Sequence, residues 1–381
     1  ELKADANEML SLKTEQQKTL YLRGFVGSVY EAGVWEEPAD AVYGGKNAGI
    51  LKWLEKNSFD PLCQISAYYA HSDEEKNPDK NEIQIRVTGA SRYYVYTPAT
   101  VEDIKKGKLT EDKDIRFCNK GFLAARNYTI EETSGTRPAE LMVTDLWVST
   151  PESAEQKQYS ETESVYRAFV YDTYRDVDPE TRDLLQQMFW DDYESDSDGI
   201  YSSICRIRDV LKENVEYTEN IEEVPDGEDP VRYFLTGSQR GNAMLYASAA
   251  VDALRVHGIP ARYVEGYYIS ESDLKNSQSE EIILTGENTH AWAEAYFDGI
   301  GWFPLDVTPG YYYDAVTLQK MVSTPDVAQK NAVLKDNSFG SQEVTGLDGA
   351  GGKSARERLT ESGSAVGARR AAVVAVRLIL F

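Results

Sequence analysis

The stretch AMLYASAAVDALRV, residues 243–256, is apolar on nearly every side of a helical projection. Such a segment is typical of a helix buried inside a domain. Gly258 suits the C-terminal cap of this helix, and Pro260 prevents its continuation. The next segments predict β-strands: ARYVEGYYI at 261–269, HAWAEAYF at 290–297 and GWFPLDVTP at 301–309. The order predicts an α+β fold in which a central buried helix packs on an antiparallel sheet.

Two further helices precede the buried one. Asp178 is a good N-cap with Pro179 at the first helical position, so DPETRDLLQQMFW predicts a helix start. The segment IYSSICRIRDVLKENV predicts an amphipathic helix with one apolar stripe, formed by Ile200, Ile204, Ile207 and Leu211. We assign both helices, with the buried helix and its strands, to a domain at 151–335.

Residues 1–150 predict a separate β-rich N-terminal domain. Three segments have the alternation or the β-branched and aromatic content of strands: NEIQIRV at 81–87, RYYVYTP at 92–98 and ELMVTDLWV at 140–148. One short helix is predicted at NAGILKWLEKN, residues 47–57, where apolar residues recur at helical spacing.

Residues 336–381 form a Gly/Ser-rich, polar segment, typical of a flexible tail. Its end, AAVVAVRLILF at 371–381, is apolar but shorter than the about 20 residues a spanning helix needs. It is interpreted either as the first half of a truncated membrane helix or as a foreign tail. The chain begins at Glu1 without a signal peptide, and we expect it to be part of a longer protein.

The composition argues against several classes of function. The net charge of −24, from 40 Lys and Arg against 64 Asp and Glu, opposes binding to nucleic acid. Three histidines and three cysteines, widely spaced, predict neither a metal centre nor a disulfide framework; if one bridge forms, Cys63 with Cys118 is the expected pair. The acidic segment 191–199 resembles a calcium loop but has Cys205 where a bidentate Glu is needed. We expect no metal and no cofactor.

The start of the buried helix resembles the site of a thiol nucleophile. A helix N-terminus stabilises a thiolate, and its backbone N–H groups can hold an oxyanion. Such a thiol needs a histidine within hydrogen-bond reach and an acid that orients that histidine. On the following strands the sequence has His290 and Asp306, but the nucleophile position holds Ala243.

Residues from about 160 to 315 resemble the transglutaminase-like domain of bacterial membrane-anchored proteins, within the wider papain-like group of thiol enzymes. The resemblance rests on VRYFLTGSQRG, on the helix and strand AMLYASAAVDALRVHGIPARYVEGYYI, on HAWAEAYFDGIGWFPLDVTP, and on their order. It implies that Ala243 stands where the family has its cysteine, that His290 is the base and that Asp306 orients it. It also implies an extracytoplasmic protein, anchored in the cell membrane by flanking helices absent from this chain.

A methyl group cannot attack an amide, so the chain as given is predicted to be catalytically silent. Natural loss of the cysteine, deliberate replacement by Ala243 and a relocated nucleophile are the three explanations. The first predicts a silent module that binds peptide or protein at the cell surface. The second predicts a thiol acyltransferase or amide hydrolase, of transglutaminase or cysteine protease type, whose cysteine was replaced. A third hypothesis is that the domain is a purely structural spacer, which requires only that the chain adopts the fold.

Other polar residues near these segments favour structural interpretations. Cys205 is expected to pack as a small apolar residue, Ser238 to lie in a loop, and Ser248 to bond its own helix backbone. His257 suits the C-terminus of the buried helix. The residues expected to line a substrate cleft, or in the case of the indoles to lie in the core, are Asn242, Trp292 and Trp302.

Overall fold

The computed structural model of the protein describes residues 7–15, 18–31, 33–71, 80–105, 109–119, 126–133, 150–191, 200–277 and 280–311. The fold is α+β with antiparallel sheets, as predicted. The chain divides into two compact units. Unit 1 falls within 1–26, 60–136 and 264–291, and unit 2 within 27–59, 137–263 and 292–381.

The helices are α1 (Ile50–Lys56), α2 (Gln64–Ala70), α3 (Ala154–Thr173), α4 (Pro179–Leu185), α5 (Ile200–Asn214), α6 (Pro230–Tyr233), α7 (Ala243–Val256) and α8 (Glu271–Ser277). The strands of the first half are β1 (Leu10–Thr14), β2 (Leu20–Gly27), β3 (Val29–Glu31), β4 (Val34–Glu36), β5 (Lys80–Val87), β6 (Val101–Lys105), β7 (Leu109–Asp112), β8 (Arg116–Asn119) and β9 (Asn127–Thr133). Those of the second half are β10 (Glu216–Tyr217), β11 (Arg240–Gly241), β12 (Ala261–Ile269), β13 (Ile282–Leu284), β14 (Thr289–Phe297) and β15 (Gly301–Leu305).

Unit 1 is built on a five-stranded sheet of order β13-β1-β5-β9-β6. Strand β1 pairs antiparallel with β5 on one side and with β13 on the other, with Leu10 opposite both Val87 and Leu284. The predicted alternation at 81–87 is confirmed, because Ile83, Ile85 and Val87 are all buried. Their side chains lie in the hydrophobic core of the unit.

The strand predicted at 92–98 is wrong. This segment makes two isolated bridges, Arg23 with Thr97 and Tyr94 with Cys118. The N–H of Tyr96 donates to the Tyr128 hydroxyl at 2.8 Å instead of to a neighbouring strand, and Pro98 has no N–H to donate. The strand predicted at 140–148 lies outside the described residues.

The one bridge that the sequence allowed, Cys63 with Cys118, does not form, since none of the three cysteines, all within the described residues, is in a disulfide. Cys63 precedes α2 and packs against the core of unit 1, whereas Cys118 is buried on β8.

Unit 2 is built around α7, which contacts α4, α5 and α6. The three predicted helices are confirmed. The Asp178 carboxylate caps α4 by accepting from the N–H groups of Glu180 and Thr181, both at 3.1 Å. The 20-residue helix α3 was not predicted, although Ser153 and Gln156 form a capping box at its start.

Strands β14 and β15 form a hairpin in which Ala293 pairs with Leu305 and Phe297 with Gly301. They belong to a four-stranded sheet of order β15-β14-β12-β2. The buried Glu163 carboxylate on α3 holds the turn of this hairpin, because it accepts from the Tyr296 hydroxyl at 2.8 Å and from the Gly299 N–H at 2.9 Å.

Each of the two compact units falls within three separate ranges of the chain. Residues 27–59 belong to unit 2 with the buried helix, and residues 264–291 belong to unit 1 with the N-terminal strands.

Among the helices of the described chain, none is long and apolar enough to cross a membrane. The apolar run at 371–381 and the predicted tail lie outside the described residues.

Candidate active site

Ala243 is the first residue of α7 and is buried, with 6% of its surface exposed. Asn242 is the N-cap, with an extended backbone, and its side chain accepts from the Leu245 N–H at 3.4 Å. The helix start is therefore the predicted one, to the residue. Its terminal N–H groups give this end of α7 the partial positive charge that favours an anion.

A short parallel bridge holds the chain just before this helix. Strand β10 pairs with β11 so that Tyr217 lies opposite Gly241, and the N–H of Thr218 donates to the Gly241 carbonyl at 2.8 Å. A Cβ at Gly241 would lie 2.6 Å from the ring of Phe234, so glycine is required by the close packing. This packing fixes the direction in which α7 begins.

Asp306 follows β15 in unit 2 and is buried, with 2% of its surface exposed. Its carboxylate accepts from the Thr308 N–H at 2.9 Å. Burial and then the charge of Glu219 raise the pKa of Tyr311, and the charge of Asp306 contributes to the same shift. The rings of Tyr311 and Tyr217 are 6.4 Å apart, so Tyr217 links the segment after Asp306 to the chain before α7.

His290 is the second residue of β14 and belongs to unit 1. It is 2% exposed. Its imidazole lies 6.3 Å from the ring of Tyr21 on β2 and 5.7 Å from the ring of Tyr268 on β12. The division between the units passes between Ala291 and Trp292.

Residues 189–307, which include Ala243, His290 and Asp306, match the model of the transglutaminase-like superfamily. The chain contains a transglutaminase-like domain. The match begins four residues after the end of α4 and includes α7 and the β14–β15 hairpin.

Two bacterial relatives are similar in sequence to part of the chain. The uncharacterized protein YebA of Bacillus subtilis (strain 168) is 34% identical over 119 residues, 30% of this chain and 16% of that protein. A protein-glutamine gamma-glutamyltransferase of Pseudomonas aeruginosa is 35% identical over 82 residues, 22% of this chain and 12% of that protein. The aligned part is thus a small fraction of either relative's length.

Solved structures similar to the chain include the periplasmic domain of TgpA from Pseudomonas aeruginosa. The identity is 15% and the TM-score 0.49, with 87% of this chain and 93% of that one covered. A cysteine protease structure from Cytophaga hutchinsonii gives 14% identity and a TM-score of 0.27, with coverages of 80% and 78%.

The two tryptophans predicted to line a cleft or the core are buried in the transglutaminase-like domain. Trp292 is fully buried, and Trp302 donates from Nε1 to the Tyr166 hydroxyl at 3.0 Å. The guanidinium of Arg262 lies 4.3 Å from the Trp302 ring and pairs with Glu294 at 2.8 Å. As observed, neither indole presents surface to a ligand.

The structural interpretations hold for Ser248, His257 and Cys205. The loop expected at Ser238 is wrong, because Ser238 is the last residue of a π-helical turn at Phe234–Ser238, where its hydroxyl donates to the Arg240 carbonyl at 3.1 Å. Ser248 donates to the Met244 carbonyl at 2.7 Å, one turn back in α7. His257 stacks on Trp190 at 4.0 Å, and burial raises the pKa of the half-buried Cys205 thiol. Most of the acidic segment 191–199 lies outside the described residues. In the described ranges, no group of three His, Cys, Asp or Glu side chains is arranged to hold a metal ion.

Sequence reasoning missed the aromatic residues near the predicted site residues. These are Tyr21 and Tyr268 beside His290 in unit 1, and Tyr217 and Tyr311 in unit 2. Tyr268 lies on a predicted strand, and the other three lie outside the segments quoted for the site. The chain has 25 tyrosines, so composition did not single these out. A usable signal was the position of Tyr311 five residues after Asp306.

Proposed function

We propose that this transglutaminase-like domain is a thiol acyl-transfer scaffold that is catalytically silent at Ala243 and binds a peptide or protein at the cell surface. The observation that carries the proposal is the family match, which spans the helix start at Ala243, His290 on β14 and Asp306 just after β15. The chemistry of the three positions follows from the resemblance, since a Cys at a helix N-terminus, a His and an Asp form an acyl-transfer set.

The pairing of His290 as base with Asp306 as orienting acid follows from the resemblance. The ladder of β14 with β15 ends at Ala293 and Leu305, and Asp306 is the next residue. Its buried carboxylate accepts from the Thr308 N–H at 2.9 Å, a contact that restricts its orientation.

The test is Ala243→Cys, with iodoacetamide alkylation of position 243 followed by peptide mass spectrometry from pH 5 to 9. Cys205, whose thiol is half-buried, serves as an internal reference in the same digest. The helix N-terminus and a protonated His290 both favour thiolate, so the pH midpoint should fall from about 8.5 to below about 7.5.

The control pair is His290→Ala and His257→Ala, each in the Ala243→Cys background. We expect His290→Ala to return the midpoint toward that of a free thiol and His257→Ala to leave it unchanged. A thiol at position 243 that reacts like a free one, whether or not His290 is present, would contradict the scaffold proposal.

A second candidate is an active acyltransferase or amide hydrolase whose cysteine has been replaced by Ala243. The relative named protein-glutamine gamma-glutamyltransferase favours acyl transfer from glutamine. Ala243→Cys would then incorporate a fluorescent primary amine into a glutamine peptide, and the unchanged chain would not. Binding of that peptide by both proteins, with incorporation by neither, would favour the silent binding module.

We also propose, from the resemblance alone, that the protein is extracytoplasmic and that its full-length form is anchored in the cell membrane. Protease added to intact spheroplasts should cleave the full-length protein. Protection until the membrane is lysed would contradict this location.

A further inference from the structure

His290 lies in a cluster of three aromatic rings, its own with those of Tyr21 and Tyr268, all in unit 1. The two tyrosine rings contact each other edge to face, with centroids 5.1 Å apart. His290 and Tyr21 are buried, at 2% and 4% exposure, and Tyr268 is half-buried. The imidazole is therefore flanked by rings from two different strands.

The backbone around this cluster is also held. The Asn288 side chain donates to the Tyr268 carbonyl at 3.4 Å, and its oxygen accepts from the Thr285 N–H at 3.0 Å. These bonds tie the turn at Gly286–Asn288, directly before β14, to β12. The position of the His290 backbone is thus coupled to that of Tyr268.

A general base must be held in one orientation, because a displacement of about 1 Å can cost on the order of 100-fold in rate. A histidine on a strand can rotate about two side-chain bonds. Aromatic contacts at centroid distances of about 4.5–7 Å are attractive and prefer edge-to-face or offset geometry. Contacts with the two tyrosine rings therefore restrict the rotation of the imidazole.

We propose that Tyr21 and Tyr268 are positioning residues for His290, an inference that rests on the proposed acyl-transfer scaffold. Tyr21 lies on β2, outside the matched residues 189–307. The surroundings of the reactive histidine are therefore completed by the N-terminal part of the chain, and residues 189–307 do not supply them alone.

The experiment measures alkylation of position 243 in Ala243→Cys combined with Tyr21→Leu or Tyr268→Leu. We expect the alkylation rate at pH 6 to fall about 10-fold, which corresponds to a midpoint one pH unit higher. Tyr21→Phe and Tyr268→Phe keep the rings and should keep the pH profile. Because Tyr268 is half-buried and Tyr21 is buried, replacing Tyr268 destabilises the fold less.

The matched control is Tyr267→Leu, which removes the next ring on β12. Tyr267 is 5% exposed and packs against Tyr96 at 5.3 Å, on the other side of the strand from Tyr268. The inference is overturned if the Tyr21 and Tyr268 variants keep the parent profile, or if Tyr267→Leu moves it equally. A free-thiol profile in Ala243→Cys alone would instead refute the proposed function.

Discussion

The carboxyl group of Asp252 on α7 is 2% exposed. Burial raises its pKa to about 7, with Arg255 opposing the shift and Asp229 and Asp178 adding to it. Between about pH 4 and pH 7 the folded protein therefore keeps a proton on this carboxyl group that the unfolded chain, with a pKa near 3.8, has already released. Its contribution to the free energy of unfolding is therefore complete below about pH 4 and is lost as the pH rises through 7.

Asp252→Asn should reduce the fall in unfolding free energy between pH 5 and pH 7, by on the order of 1 kcal/mol per pH unit. Urea unfolding at several pH values in this window measures the slope. Asp209→Asn, at an exposed position of α5, is the control and should leave the slope unchanged. Equal slopes in the parent and Asp252→Asn would show that the carboxyl group does not titrate as described.

At the scale of elements, the β3–β4 hairpin is held against α7 by Trp35. Its indole Nε1 donates to the Ser248 hydroxyl at 2.8 Å, and its ring stacks on Tyr263 at 5.2 Å. The guanidinium of Arg255 lies 5.2 Å from the same ring and donates to the Ser28 carbonyl at 2.8 Å.

Trp35→Ala should cost about 3–5 kcal/mol of unfolding free energy, measured by urea unfolding. Val34→Ala, 59% exposed on the same strand, should cost less than about 0.5 kcal/mol, and similar losses for both would contradict this role.

How far an element could be predicted from the sequence depended on what stabilises it. Helix α7 and strands β12, β14 and β15 are buried on most sides, so their apolar runs determined them. Helix α3 was missed because its mixed polar sequence is stabilised by contacts distant in the chain, such as Glu163 with the β14–β15 turn. The roles of Ala243, His290 and Asp306 came from the resemblance, and the rings around His290 depend on tertiary packing that no local pattern encodes.

For the whole molecule, residues 27–59 are part of the unit that contains α7. A fragment of residues 151–335, the predicted domain, lacks Trp35 and the Ser28 carbonyl, which leaves Ser248, Tyr263 and Arg255 without these contacts. We expect this fragment to melt without a cooperative transition, or at least about 10 °C below the full chain, by circular dichroism. The chain without the predicted tail at 336–381 is the control and should keep the parent Tm. A cooperative melt of the fragment at the parent Tm would refute the dependence.

The position of β1 in its sheet has a consequence for biosynthesis. Strand β1 lies between β5 and β13, and the Ser11 hydroxyl donates to the Glu281 carboxylate at 2.7 Å across 270 residues of chain. At about 5–20 residues per second, a ribosome needs tens of seconds after making β1 before β13 emerges. During that interval one edge of β1 has no strand to pair with, and such an edge promotes aggregation. A chaperone that shields extended apolar segments should therefore raise the yield of this protein, most strongly when translation is slowed between residues 14 and 282.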